Sequence, residues 1–457
     1  MTTPAAPAIA VDASTRFLRV ARTRADGTPE LVELPGTEPG EGLPTPPGVR
    51  GDRGAALRLA YTKYREQCGT PGHVVLVVPP QERAVLPGDG GMPRPRLLDT
   101  PHAVLALLRH KGIRIEPRLL VCDLGASAAE VTECAVAGGS VAVVRVARYA
   151  PADDGYGAAF DAAVLAGAGL PVDEPAVLRE LGRVRSQNAR RIEVALERMA
   201  ARPDRSAATV VHEVAGREIT ADLLHRALAR LTDGLDRALD GLPGVRATGQ
   251  DPSCTPVIAV GGAARSEALL RHLTGRLGQP VPVPGGTDPA LAAVFGAALV
   301  ADGRIDAADR YPHAVAVRVH RTEVGRPRDG ELLISPPGTL EPGGATVFAE
   351  TDGERVRVRT GPADGTRGRD VRILVRAAGT DAAAPAGVVT IPPSGDGARF
   401  HLGVRLAADG TARLVLQPLG RSPSGDRPLA QLPPEEFPLG VLPTDPRPDS
   451  PSDPHDS

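Results

Sequence analysis

The sequence predicts a mixed α/β domain followed by an all-β domain and a disordered polar tail. Three observations carry this. Between residues 6 and 305, short apolar runs that end in Asp or Gly alternate with stretches of helical periodicity. From about residue 310 that periodicity stops, and brief alternating runs separated by Gly, Pro and Asp turns take over through residue 420. From Arg421 to Ser457 the chain is rich in Pro, Asp and Ser, a composition that cannot bury enough apolar surface to order itself.

The elements follow in order. "AIAVDASTRFLRVARTRADGTPELVEL" reads as a strand, a turn, a second strand and a hairpin at "DGT", then a Pro/Gly-rich loop over residues 35–54. "ALRLAYTKYREQ" has helical spacing, "HVVLVVPP" is an apolar strand and "QERAVLPGDGGMPRPR" is loop. "TPHAVLALLRHKG" is a helix with Thr100 as N-cap and Pro101 at N1. "RLLVCDLGASAAEVTECAVAGGSVAVVRVARYA" contains three strands with turns at "LGAS" and "AGGS". A helical insertion over about 163–245 is interrupted by the strand-like "ATVVHEVAG", after which Thr220 caps a helix carrying Leu223, Leu224, Leu228, Leu231 and Leu235. "VIAVGGAARSEALLRHL" is a strand, a double-glycine turn and a helix, and Asp288 is read as the N-cap of one more helix. The all-β part contains "AVAVRV", "ERVRVRT", "DVRILVR", "RFHLGVRL" and "ARLVLQ".

Composition narrows the function. A formal net charge of −2 supplies no basic field for nucleic acid. No apolar run approaches the roughly 18 residues of a spanning helix. Met1–Phe17 lacks a basic stretch followed by a long apolar one, so no leader is expected there. Four widely spaced cysteines without a CxxC pair predict reduced thiols in the cytoplasm. Lys63 and Lys111 are the only lysines, so chemistry that needs a lysine has two candidates.

Three turns follow apolar strands: "AVDASTRF", "VCDLGASAAE" and "AVGGAARSE". Asp12 and Asp123 each close a strand, where a carboxylate can hold the water shell of magnesium while turn amides cradle phosphate. Asp is also an ordinary turn residue, and each position alone is open to that reading. Gly261 and Gly262 can serve a ligand's approach or a plain strand–turn–helix packing.

Taken together, the three turns resemble the 70-kilodalton heat-shock chaperone (DnaK) family of the actin and sugar-kinase superfamily. "VDASTRFLRVA" is similar to that family's first phosphate loop and "VCDLGASAAEVTECAV" to its second. "VIAVGGAARSEALLRHLTGRLGQPVPVPGGTDPALAAVFGAALVA" is similar to its Gly-Gly-Arg turn and following Asp-Pro…Gly-Ala helix. "TPHAVLALL" resembles its linking segment, and "GYGAAFDAAVL" its Gly-Gly-x-x-Phe-Asp. The resemblance implies a two-lobed actin-like ATPase domain with a reduced first lobe, then an all-β domain of the substrate-binding kind. It implies ATP or ADP with Mg as cofactor, held by Ala13, Ser14, Thr15, Gly125, Ala126, Ser127, Gly261, Gly262, Ala263, Arg265 and Asp288, with Arg265 near the base. Asp12, Asp123 and Glu130 would organise the metal and the attacking water. Unfolded polypeptide clients and co-chaperones are the implied partners, with no nucleic acid and no membrane.

The departures are specific. Ala13 and Ser14 replace Leu and Gly of the first loop, which predicts a looser phosphate contact. Ala126, Ser127 and Ala128 replace Gly, Gly and Thr of the second, and Glu130 replaces an Asp. Neither lysine matches the family's catalytic one, so hydrolysis is expected to be weak or lost. A pseudo-ATPase scaffold of the same fold is the alternative. A small-molecule kinase is disfavoured by the all-β domain that follows.

Overall fold

The computed structural model describes residues 7–46, 52–79, 95–137, 140–151, 155–242, 255–279, 281–306, 310–323, 326–359, 369–376, 383–392, 398–407, 411–419 and 433–443. The molecule is mixed α/β, and its chain divides into two compact units. Unit 1 is Met1–Cys134 with Arg145–Asp306, and unit 2 is Ala135–Val144 with Ala307–Ser457.

Among its described residues unit 1 contains two larger sheets and a two-stranded hairpin. The first is built from β1 (Ala8–Ala13), β2 (Phe17–Thr23), β3 (Pro29–Leu31), β4 (Leu43–Pro44), then α1 (Arg53–Cys68), β5 (His73–Val78) and β6 (Arg96–Asp99). Its order is β3-β2-β1-β5-β6, with β4 on β2. β1 runs antiparallel to β2 and parallel to β5, which runs parallel to β6. After α2 (Thr100–His110), the second sheet takes β7 (Arg118–Leu124), β8 (Ala129–Ala137), β9 (Ser140–Tyr149) and, much later, β12 (Val257–Val260). Its order is β12-β7-β8-β9, with β12 parallel to β7. Pro282 extends this edge by accepting from Ala259 N at 3.0 Å. Both sheets therefore place three consecutive strands beside a later parallel strand that joins next to the first.

Between β9 and β12 lie α3 (Tyr156–Gly167), α4 (Pro175–Gln187), α5 (Ala189–Ala201), the single turn α6 (Pro203–Ser206), the hairpin β10 (Val210–Val214) and β11 (Arg217–Thr220), and α7 (Ala221–Asp240). A 3-10 turn over Gly262–Arg265 leads to α8 (Glu267–Leu277), and α9 (Ala292–Ala301) closes the unit. α1 covers one face of the first sheet through Ala56, Leu57, Ala60, Tyr61 and Tyr64, while α9 and α2 lie on the other. The second core gathers Cys122, Leu124, Tyr156, Leu165, Leu235 and Leu273. The expected strand "ATVVHEVAG" is a hairpin turning at Ala215 and Gly216, both at positive φ, and Thr220 does cap α7.

Unit 2 is all β. β13 (Ala314–Glu323), β14 (Arg326–Ser335), β19 (Arg369–Arg376) and β20 (Ala383–Ile391) form one sheet in the order β14-β13-β19-β20. β15 (Val347–Phe348), β18 (Arg357–Arg359), β21 (Arg399–Leu406), β22 (Thr411–Leu419) and β23 (Glu435–Val441) form a second, and β16 (Glu350–Thr351) pairs with β17 (Glu354–Arg355). Val315, Val317, Val404, Leu414 and Leu416 make its core.

Three expectations are corrected. Thr100 is the first residue of α2 and not its cap; Asp99 caps, accepting from His102 N at 3.0 Å. Asp288 does not cap α9, which begins at Ala292. The tail contains a strand: β23 pairs antiparallel with β22, and Phe437 and Leu439 pack on the core, because alternating apolar residues can complete an otherwise open sheet edge. The expected loop over 81–96 lies outside the described residues up to 94, and its last residue, Arg96, begins β6.

Candidate functional site

Three strand ends distant in sequence meet within unit 1. Asp12, at the end of β1, faces Arg19 directly across the hairpin, and Arg19 Nη1 donates to Asp12 Oδ2 at 3.1 Å. Asp123 stands in register with Val260 of β12, so Gly261 immediately follows it in space. Gly261 has φ +90°, and a methyl there would stand 2.6 Å from Leu124 O and 2.7 Å from Asp123 Oδ1. Its N–H donates to Pro289 O at 2.9 Å. The glycine is thus required by backbone packed against backbone, between the second turn and the third.

Asp123 lies close enough to Asp12 for their charges to couple. Burial, and then the charge of Asp12, push its carboxyl up to about 6, against a hydrogen bond from Thr100 and the pull of Arg19 and Arg53. Thr100 is free to make that bond because Asp99 does the capping. Two carboxylates at strand ends, one of them reluctant to ionise alone, form a place where a divalent cation is electrostatically welcome.

The glycine-poor turns close by other means. Between Ala13 and Phe17 no residue takes a positive φ. Ser14 Oγ instead donates to Phe17 O at 2.7 Å and accepts from Phe17 N at 3.2 Å. In the second turn Gly125 N donates to Ala128 O at 3.0 Å, and Ala126 and Ser127 accept from Ala158 N and Tyr156 N, both at 3.1 Å. The start of α3 docks on this turn so closely that a methyl on Gly157 would stand 2.7 Å from Gly125 O. Two amides of that first helical turn are therefore spent on the loop. Thr15 is half-buried beside the first turn.

Arg265 ends the 3-10 turn that holds Gly262 and Ala263. Its Nε reaches Asp288 at 2.9 and 3.1 Å and its Nη2 at 2.5 Å, while Nη1 meets Glu41 Oε1 at 2.5 Å. Asp288 Oδ1 also accepts from Ala290 N at 2.9 Å, closing a turn ahead of α9 and not the helix itself. Burial works against its charge, yet Arg265 overrides that and holds the carboxyl below its usual value. Glu130 is buried on β8 between the core residues Ala129 and Val131. Strand alternation puts it on the sheet face opposite theirs, which is also the face of Asp123 between Cys122 and Leu124. Among the described residues no three His, Cys, Asp or Glu side chains form a metal-holding group.

Several residues at this place were not singled out in the sequence. Arg16 pairs with Asp161, a carboxylate 2% exposed on α3, which also accepts from Arg185 Nη1 at 2.6 Å. Glu193 on α5 accepts from Ser266 Oγ at 3.0 Å and from Ala268 N at 2.8 Å, tying α5 to the start of α8. Asp161 is the acid of the Phe-Asp pair in "GYGAAFDAAVL", so its motif was legible although its partners were not; Arg19 and Glu41 left no signal outside the hairpin register. The lysines stand elsewhere: Lys63 bonds Pro35 O at 3.3 Å and Lys111 bonds Gly285 O. Among the described residues no helix is long and apolar enough to cross a membrane.

No protein-family model matches this chain, and no curated protein matches it with significant similarity.

Proposed function

We propose that this protein is a divergent heat-shock-70-type chaperone: an actin-like, two-lobed unit that binds ATP or ADP with Mg and serves an all-β unit that holds unfolded polypeptide. The observation that carries the reading is the meeting of Asp12, Asp123 and Gly261, from three separate strand ends, in a unit whose two larger sheets share one strand order. A repeated sheet with the ligand between strand ends is what the resemblance of the three turns implies. The residues fit a hydrated cation with a polyphosphate, since two coupled carboxylates stand beside turn backbone. In that reading Asp12 and Asp123 orient the metal's waters, Glu130 holds the attacking water, and Gly262 offers backbone to the nucleotide, while the N–H groups of Gly125 and Gly261 already bond Ala128 O and Pro289 O. Magnesium, when bound, supplies the charge that neutralises the phosphates. Neither lysine reaches these carboxylates, so hydrolysis is slow or lost. Free Cys68, Cys122 and Cys134 accord with a cytoplasmic location.

A second reading, a scaffold whose cleft stays static, is favoured by one feature: Arg265 is already satisfied by Asp288 and Glu41. Calorimetric titration with Mg-ATP separates the two. Micromolar binding that weakens in Asp123→Asn, which leaves the backbone packing around Gly261 in place, supports the chaperone reading. No heat and no thermal shift at millimolar Mg-ATP would leave the scaffold. Phosphate release that rises when unfolded peptide is added ties the two units together.

A further inference from the structure

The loop over residues 32–42 is a preformed arm. Leu34 and Leu43, both buried, pin its ends into the core beneath α1. Glu38 N donates to Gly42 O at 2.8 Å and Gly42 N returns to Glu38 O at 3.2 Å, closing the tip. Gly42 has φ +106° and lies so near β2 that a methyl there would stand 2.7 Å from Leu18 O and 2.9 Å from Arg19 Cγ. Anchored backbone therefore sets the position of Glu41. Its carbonyl accepts from Arg19 Nε at 2.9 Å, and its carboxylate lies 2.5 Å from Arg265 Nη1 and 3.9 Å from Arg19 Nη2. Arg19 and Arg265 are the cations that hold Asp12 and Asp288. A continuous chain of alternating charge thus runs Asp12–Arg19–Glu41–Arg265–Asp288, from the first sheet to the turn after β12.

We propose that Glu41 is a built-in competitor of the nucleotide: an anionic strap that occupies the free edge of Arg265 and that Mg-nucleotide must displace. The proposal rests on the nucleotide reading of this site. Asp288 already takes the Nε–Nη2 edge of Arg265, which leaves Nη1 as the position a ligand can claim, and Glu41 fills it. In the nucleotide reading Arg265 lies near the base, so a guanidinium fixed at Nη1 by Glu41 has to give up that partner before it can take the position the nucleotide needs. A ligand that needs the open state loses apparent affinity in proportion to the time the strap is closed; closure in about nine molecules of ten costs roughly tenfold.

The test is a calorimetric titration of the full chain with Mg-ATP, wild type against Glu41→Gln, with hydrogen exchange of residues 32–44 followed in parallel. Glu41→Gln is expected to bind about tenfold tighter, and Mg-ATP to speed exchange of the loop in the wild type only. Glu41→Asp, too short to reach Arg265 fully, is expected to fall between them. Equal or weaker binding by Glu41→Gln, with the wild type binding, overturns the strap and leaves the nucleotide reading intact. Absence of binding by all three proteins removes the nucleotide reading itself, and the strap with it.

Discussion

At the scale of single residues, the decisive feature is a carboxyl held against its preference. Asp123 is pushed up to about 6 by burial and by the neighbouring Asp12. Its folded value lies above the unfolded one, so the protonated form is the stabilising one. That contribution is complete below about pH 4 and is lost as pH rises through about 6. Asp123→Asn should therefore be more stable than wild type at pH 7.5, by about 1–3 kcal/mol, with the advantage gone near pH 4; urea unfolding at the two pH values measures it. A gain that persists unchanged at pH 4 would contradict this account of the buried charge. Mg-ATP affinity should weaken as pH falls through about 6, because a protonated carboxyl no longer attracts the cation. Gly261→Val puts side-chain atoms where Leu124 O and Asp123 Oδ1 already stand, at a φ that valine avoids. It should lose about 2–4 kcal/mol in the same assay, whether or not nucleotide is present.

At the scale of elements, α2 and α9 connect the two halves of the site. α2 is capped by Asp99, whose carboxylate takes both the His102 N–H and its imidazole. Asp99→Ala should cost about 1–3 kcal/mol, and Thr100→Ala less, because Thr100 bonds Asp123 and caps nothing. Thermal melts of the two variants would reverse in order if Thr100 were the cap. α9 crosses α2 at Gly296, where a methyl would collide with Ala103 O. Gly296→Ala should lower stability by about 2–3 kcal/mol even though alanine is the better helix former, a sign that only close packing can produce. The Thr220 cap of α7, the strand-end acids and the double glycine could be read from local pattern, whereas the start of α9 at Ala292 could not. The cap position could not, since Asp99 and Thr100 are both good caps and adjacent, and only the neighbouring Asp123 decides which hydroxyl or carboxylate is needed elsewhere.

At the scale of the whole molecule, two units have separate cores. β23 is the outer strand on β22, with Phe437 and Leu439 on the core side. Ending the chain before Pro433 should lower the melting transition of unit 2 and leave that of unit 1 in place; calorimetry of both chains shows this directly. A fall in both transitions would mean that the cores are not independent. The Pro-rich composition around this strand hid it, because its few apolar residues gain order only where they complete an open sheet edge.

Local chemistry by itself determined the run of strands and helices, the three acid- or glycine-bearing turns, and the change from α/β to all-β near residue 310, because hydrophobic period and turn residues act over a few positions. Tertiary structure alone decided which charges meet. Arg16 with Asp161, and Arg265 with Glu41, are joined across 145 and 224 residues of chain. No periodicity records such pairs, since an ion pair depends on where two backbones lie and not on what surrounds either residue in sequence.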